Sequence, residues 1–144
     1  MYIPKYFQIQ ELVPRAIFES YPEKKRANLW FLFDERALIT ADRLRERYGS
    51  MVCNTWLWGG DRQYSGWRPG DCAEGSLLSQ HKRGAAFDFL PQKITAEEIR
   101  RDILTDPNCQ DFEFITCIEA GVAWLHFDTR NWDKKERGIF TVKP

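Results

Sequence analysis

The chain lacks the features that mark several large functional classes. It has no surplus of either charge: Lys+Arg and Asp+Glu number 21 each, whereas a duplex nucleic-acid binder or a polybasic membrane adaptor carries a cationic excess. It has no long apolar run. The longest, Leu29-Trp30-Phe31-Leu32-Phe33, is five residues and gives way at once to Asp34-Glu35-Arg36, against the roughly 18 residues that mark a membrane span. The opening Met1-Tyr2-Ile3-Pro4-Lys5-Tyr6 has no basic cluster leading into an apolar segment, so synthesis in the cytoplasm without a signal peptide is expected. The four cysteines (Cys53, Cys72, Cys109, Cys117) form no C-x-x-C pair. That excludes zinc ribbons and thioredoxin-like motifs and fits reduced, partly buried thiols. Repeats and low-complexity tracts are absent. Histidine is nearly so, with two in 144 residues.

What remains is enough for one domain over 1–144. Hydrophobic residues make up 43% and aromatics 15%, and a chain of this size buries roughly two-thirds of its unfolded surface. The first third reads as helical: 7–13 ahead of Pro14, then an amphipathic stretch over about 28–48. Leu38, Ala41, Leu44 and Tyr48 recur there at the three- and four-residue spacing of one helix face, and Gly49 follows as a C-terminal cap. Residues 51–58 are rich in β-formers and predict a strand. The loop 59–79 carries five glycines and a proline, and loops of that length inside a compact domain are commonly functional. A second strand is expected over 85–90. Thr95-Ala-Glu-Glu98 is a capping box that opens a helix to about Leu104. Two further strands, 112–118 and 122–128, flank Glu119-Ala-Gly121, and 139–142 adds an edge strand after a surface turn at 133–137. Helices first and strands after predict an α+β domain with a small, largely antiparallel sheet.

Both histidines sit in unusual settings. One lies in Ser79-Gln-His81-Lys-Arg-Gly84-Ala-Ala86-Phe-Asp88, the other in Trp124-Leu-His126-Phe-Asp128. Strand alternation puts Phe87 and Phe89 on one side and Asp88 on the other, and likewise Leu125 and Phe127 opposite His126 and Asp128. Gly84 permits a turn that swings His81 back towards Asp88. Neighbouring strands would then present His81, Asp88 and His126 to one concavity. Two imidazoles and a carboxylate suit a zinc ion that keeps a fourth position for water, which zinc acidifies to a pKa of about 7. A lone histidine is more often a hydrogen-bonded structural residue than a ligand. The five fixed residue types of S-x-H-x-x-G-x-A-x-D, however, match a chain this long by chance on the order of once in ten thousand.

The motif pair resembles the M15 family of zinc D-Ala-D-Ala peptidases, which includes phage endolysins and shares its fold with the Hedgehog signalling domain. Ser65-Gly66-Trp67-Arg68 is similar to the S-G-Y-R segment that precedes the family's first histidine. The N-terminal Tyr6-Phe7…Glu11-Leu12 extends the likeness over most of the chain. The resemblance implies a Hedgehog/DD-peptidase-like fold, Zn2+ held by His81, Asp88 and His126, and a peptidoglycan stem peptide as substrate of a monomeric enzyme. It implies neither nucleic acid nor a membrane span, and it is compatible with release through a holin-type pore or with virion association. Arg68 is its candidate anchor for a substrate carboxylate, with Arg62 competing for that role. Ser79 either binds substrate backbone or holds its loop.

The general base is less defined. Many members carry an acid three positions before the second histidine, where this chain has Ala123. Glu119 replaces it, provided that 119–124 loops out rather than pairing tightly. A tight hairpin would instead bring Glu113 near Asp128. Asp128 is itself a candidate, either as base or as a group orienting His126. The vacant 123 position motivates a second function, a zinc-binding virion or cell-wall recognition domain with weak or no turnover. Trp56, Trp58, Trp67 and Trp124 either line a groove or pack the core and rim.

Overall fold

A computed structural model describes residues 1–144. The helices are α1 (Arg15–Ser20), α2 (Glu35–Tyr48), α3 (Ala96–Thr105) and α4 (Lys134–Arg137). The strands are β1 (Met51–Val52), β2 (Ala86–Pro91), β3 (Cys117–Glu119), β4 (Leu125–Asp128) and β5 (Phe140–Val142). They form one sheet in the order β1-β2-β4-β3-β5. The first three pairings are antiparallel, but β5 runs parallel to β3. The sheet is largely antiparallel, as expected, and β5 alone makes it mixed, because the chain leaving β4 reverses through α4 and returns on the far side of β3. No helix is long and apolar enough to cross a membrane.

The core forms where two periodicities meet. The α2 stripe Ala37, Leu38, Ala41 and Leu44 is fully buried, and α3 contributes Ile99 and Ile103. Both helices pack on the sheet face made by Phe87, Phe89, Leu125 and Phe127. Phe87 and Phe89 stack at 5.4 Å, and Phe7 and Phe33 extend the stack at 5.2 and 5.7 Å. Each such pair adds about 0.5–1.5 kcal/mol beyond the area it buries. The capping box of α3 is present, with Thr95 Oγ1 accepting from the Glu98 amide and Glu98 from the Thr95 amide.

Five of the elements expected from the sequence are revised. The 7–13 segment is only a 3-10 turn at Ile9–Glu11, and the predicted 28–48 helix divides: Glu23–Leu32 is 3-10, and α2 begins anew after the Asp34 cap. The 51–58 strand stops at Val52 because buried Asn54 binds elsewhere, donating to the Val13 carbonyl and accepting from the Ser65 amide. The 112–118 and 122–128 strands shrink to β3 and β4, with a 3-10 turn at Gln110–Phe112. Glu119–Gly121 is therefore no tight hairpin. The chain loops out between Glu119 and Leu125, because buried Arg100 of α3 donates to the carbonyls of Val122 and Trp124, each at 2.8 Å.

Candidate metal centre

The site lies on the sheet face opposite the phenylalanine stack. Register places Asp88 directly across from His126 and Ala86 across from Asp128, so the polar side chains of β2 and β4 emerge side by side. His81 arrives from the 3-10 turn Gln80–Arg83, which closes on Gly84 at φ 68°. A Cβ at Gly84 would strike the Leu32 carbonyl oxygen, so both the left-handed backbone and the close approach require glycine there. Ligating atoms of His81, Asp88 and His126 all lie within 4.8 Å of one another, and all three residues are buried.

Each imidazole has a defined role for each nitrogen. His81 Nδ1 donates to the Gly66 carbonyl at 2.8 Å, which leaves Nε2 facing Asp88 Oδ2 at 3.3 Å. His126 Nδ1 meets Asp88 Oδ1 at 2.7 Å, and its Nε2 meets Asp128 Oδ2 at 3.1 Å. Both partners of His126 are carboxylates that only accept, so without an ion the ring carries both protons. Burial works against that charge, but hydrogen bonds to Asp128 and Asp88 outweigh it and raise the His126 pKa to about 9. Burial also opposes ionisation of Asp88, yet the hydrogen bonds from His126 and His81 hold its carboxyl well below the usual range. For Asp128 the same burial cost is overcome by Arg130 and His126.

The 59–79 loop is tied to the sheet rather than free. The Asp88 amide donates to the Ser65 carbonyl at 2.8 Å, and the Trp67 amide to the Leu12 carbonyl at 2.8 Å. That path carries Arg68 to the site, where Nη2 reaches Asp88 Oδ2 at 3.3 Å and Nε donates to the Tyr64 carbonyl at 2.6 Å. Arg62 donates to the backbone carbonyls of Cys53 and Asp88. It faces a neighbouring cavity of about 340 Å³ rather than the one holding both histidines.

The cavity holding both histidines measures about 750 Å³, and Arg68, Ser79, Glu119, Trp124, Asp128 and Arg130 also line it. Glu119 thus reaches the same space as the triad, and Trp124 Nε1 donates to its Oε2 at 3.3 Å. Glu113 does not line it; its carboxylate pairs with Arg43 at 2.9 Å. Ala123 lines a separate recess bounded by 90–96, so position 123 does not face the triad. Of the other tryptophans, Trp56 donates to the Val13 carbonyl, Trp67 packs on the core and Trp58 is exposed.

Sequence reasoning did not find Arg100 or Arg130. Arg100 sits on the polar flank of a helix stripe, and only its burial marks it. Arg130 lies two residues past Asp128, in a spacing without a motif. All four cysteines are free, and burial pushes the Cys117 thiol up to about 12.

The donor set fits a divalent transition metal. Two imidazole nitrogens and a carboxylate oxygen are borderline donors suited to such an ion, and each histidine has its second nitrogen engaged, as metal ligands usually do. No protein-family model, curated protein or solved structure matches the chain.

Proposed function

We propose that the protein is a zinc-dependent peptidase acting on the stem peptides of bacterial peptidoglycan. One observation carries the reading: His81, Asp88 and His126 converge within 4.8 Å in a cavity that Glu119 also lines. Zinc bound there supplies Lewis-acid polarisation of the scissile carbonyl and acidification of water. The chain's own residues do the rest. Glu119 has no ion-pair partner and is steadied by Trp124, so it takes the proton of the attacking water and returns it to the leaving nitrogen. Arg68 lies beside the triad as a cation for the developing oxyanion or a substrate carboxylate. Asp128 is bound on both oxygens, by Arg130 and His126, so it orients His126 instead of moving protons.

The test joins metal analysis to product analysis. Purified protein is expected to hold about one zinc per chain, and His126→Ala to lose it. Glu119→Gln is expected to keep zinc while muropeptide cleavage, followed by mass spectrometry, falls by at least about 100-fold. A second reading, wall recognition without turnover, keeps the metal but not the proton transfer, with the Glu119 carboxylate held by Trp124 Nε1 at 3.3 Å. Clear lysis on a peptidoglycan zymogram excludes it; zinc-loaded protein that sediments with peptidoglycan and leaves it intact supports it.

A further inference from the structure

We infer that Arg130 is a positioning residue for the metal centre, held in place by Phe140 of the edge strand, and that this pair makes β5 part of the site. The inference rests on the metal-centre reading but not on peptidase activity. Its starting point is Asp128, whose side chain is fully buried. Four contacts reach this carboxylate, and three come from Arg130: its amide at 3.2 Å and Nε at 2.8 Å on Oδ1, and Nη2 at 2.6 Å on Oδ2. The fourth is His126 Nε2, at 3.1 Å on the same Oδ2. The backbone of Asp128 is fixed by β3, since its carbonyl accepts from the Thr116 amide at 3.0 Å. The guanidinium fork holds both oxygens of the carboxylate at once and so sets its plane, whereas the Arg130 amide and His126 Nε2 each hold one oxygen.

That plane decides where Oδ2 stands, and Oδ2 is the atom that holds Nε2 of His126. The opposite nitrogen, Nδ1, is the one that faces Asp88. Partners on the far side of a ligating imidazole set its orientation, and their loss typically costs 10–100-fold in metal affinity. A lysine cannot reproduce the effect, because a point charge does not fix a plane.

Arg130 is constrained in its turn. Its guanidinium carbon lies 5.3 Å from the Phe140 ring centroid, and its carbonyl accepts from Thr116 Oγ1 at 2.8 Å. Phe140 is anchored through its own amide to the Thr116 carbonyl at 2.9 Å and packs against Trp132, the two rings tilted with centroids 4.7 Å apart. The chain of contacts thus runs from β5 through Phe140, Arg130 and Asp128 to His126. Arg130 also lines the cavity, so the competing role is direct contact with substrate. The two roles separate cleanly, because a substrate contact leaves metal affinity untouched.

The experiment measures zinc affinity by competition with a chromophoric chelator, without substrate, together with the visible spectrum of the cobalt(II)-loaded protein. Circular dichroism and melting of the metal-free protein report folding. Arg130→Met is expected to weaken zinc binding roughly 10–100-fold and to change the cobalt spectrum. Arg130→Lys should lie near Arg130→Met. Phe140→Leu, at a partly exposed position that spares the core, is expected to weaken binding about threefold, and it keeps the test decisive if Arg130→Met does not fold. Wild-type affinity and spectrum in Phe140→Leu and in every folded Arg130 variant would overturn the inference while leaving the peptidase reading intact. Full rescue by lysine would also overturn it, since charge alone would then suffice. A wild-type protein that binds no zinc removes both.

Discussion

On one face of the β2–β4 pair sit Phe87, Phe89, Leu125 and Phe127, none of them exposed; on the other, one residue along each strand, sit Asp88, His126 and Asp128, which are almost as deeply buried. The apolar face is held by contacts that have no direction, so neighbours can shift slightly and retain most of the energy. The polar face is held by a closed set of charge-assisted hydrogen bonds, in which each group satisfies another. A buried charge that loses its partner costs far more than the pair contributed. The first face therefore sets how stable the domain is, and the second sets where particular atoms stand.

Separating those two roles calls for a change on each face. Phe89→Ala removes a ring that stacks on Phe7 and Phe87 and is fully buried. It should cost about 3–5 kcal/mol, read from urea unfolding of the metal-free protein, while the fraction that stays folded still binds zinc. Loss of zinc from that folded fraction would show that the two faces are not independent.

Gly84→Ala acts from the other side. It forces a side chain into a left-handed backbone position and against the Leu32 carbonyl, at about 2–3 kcal/mol. The turn that carries His81 must then move, so zinc affinity should fall more than about tenfold. Phe89→Ala should thus cost more stability and Gly84→Ala more metal. The reverse ranking would refute the division between the faces.

The same division explains what the sequence discloses. Period-two alternation reports both faces of β2 and β4, and the side assignments of Phe87, Asp88, His126 and Phe127 follow from it directly. The α2 stripe and the α3 capping box are equally local, and both are readable. Features set by distant partners are not. Strand β1 ends early because the Asn54 side chain binds Val13 and Ser65, 41 and 11 residues away. Glu119 enters the cavity because Arg100, more than twenty residues from the carbonyls it binds, opens the loop. Nothing near Glu119 signals that event. Arg130 is hidden for a similar reason, since its fork on Asp128 depends on how β4 ends and on a ring supplied by β5.

Asp34 joins the two faces and gives the smallest test of their coupling. It caps α2 by accepting from the Arg36 amide at 2.9 Å, and its own amide donates to the Gly84 carbonyl at 3.0 Å. Thr129, next to Asp128, donates to its carboxylate at 3.2 Å. Burial raises its pKa, but the hydrogen bonds from Arg36 and Thr129 prevail and hold it below the ordinary value. A carboxylate depressed by folding contributes stability that is fully present above its unfolded pKa of about 3.9 and is lost as pH falls through the lower folded value. Asp34→Ala should therefore cost about 1 kcal/mol at neutral pH, and the gap from wild type in urea midpoint should narrow below about pH 3. A gap that stays constant into acid would assign the effect to cap geometry alone. Asp34→Asn, which keeps a capping side chain without the charge, would then match wild type at every pH.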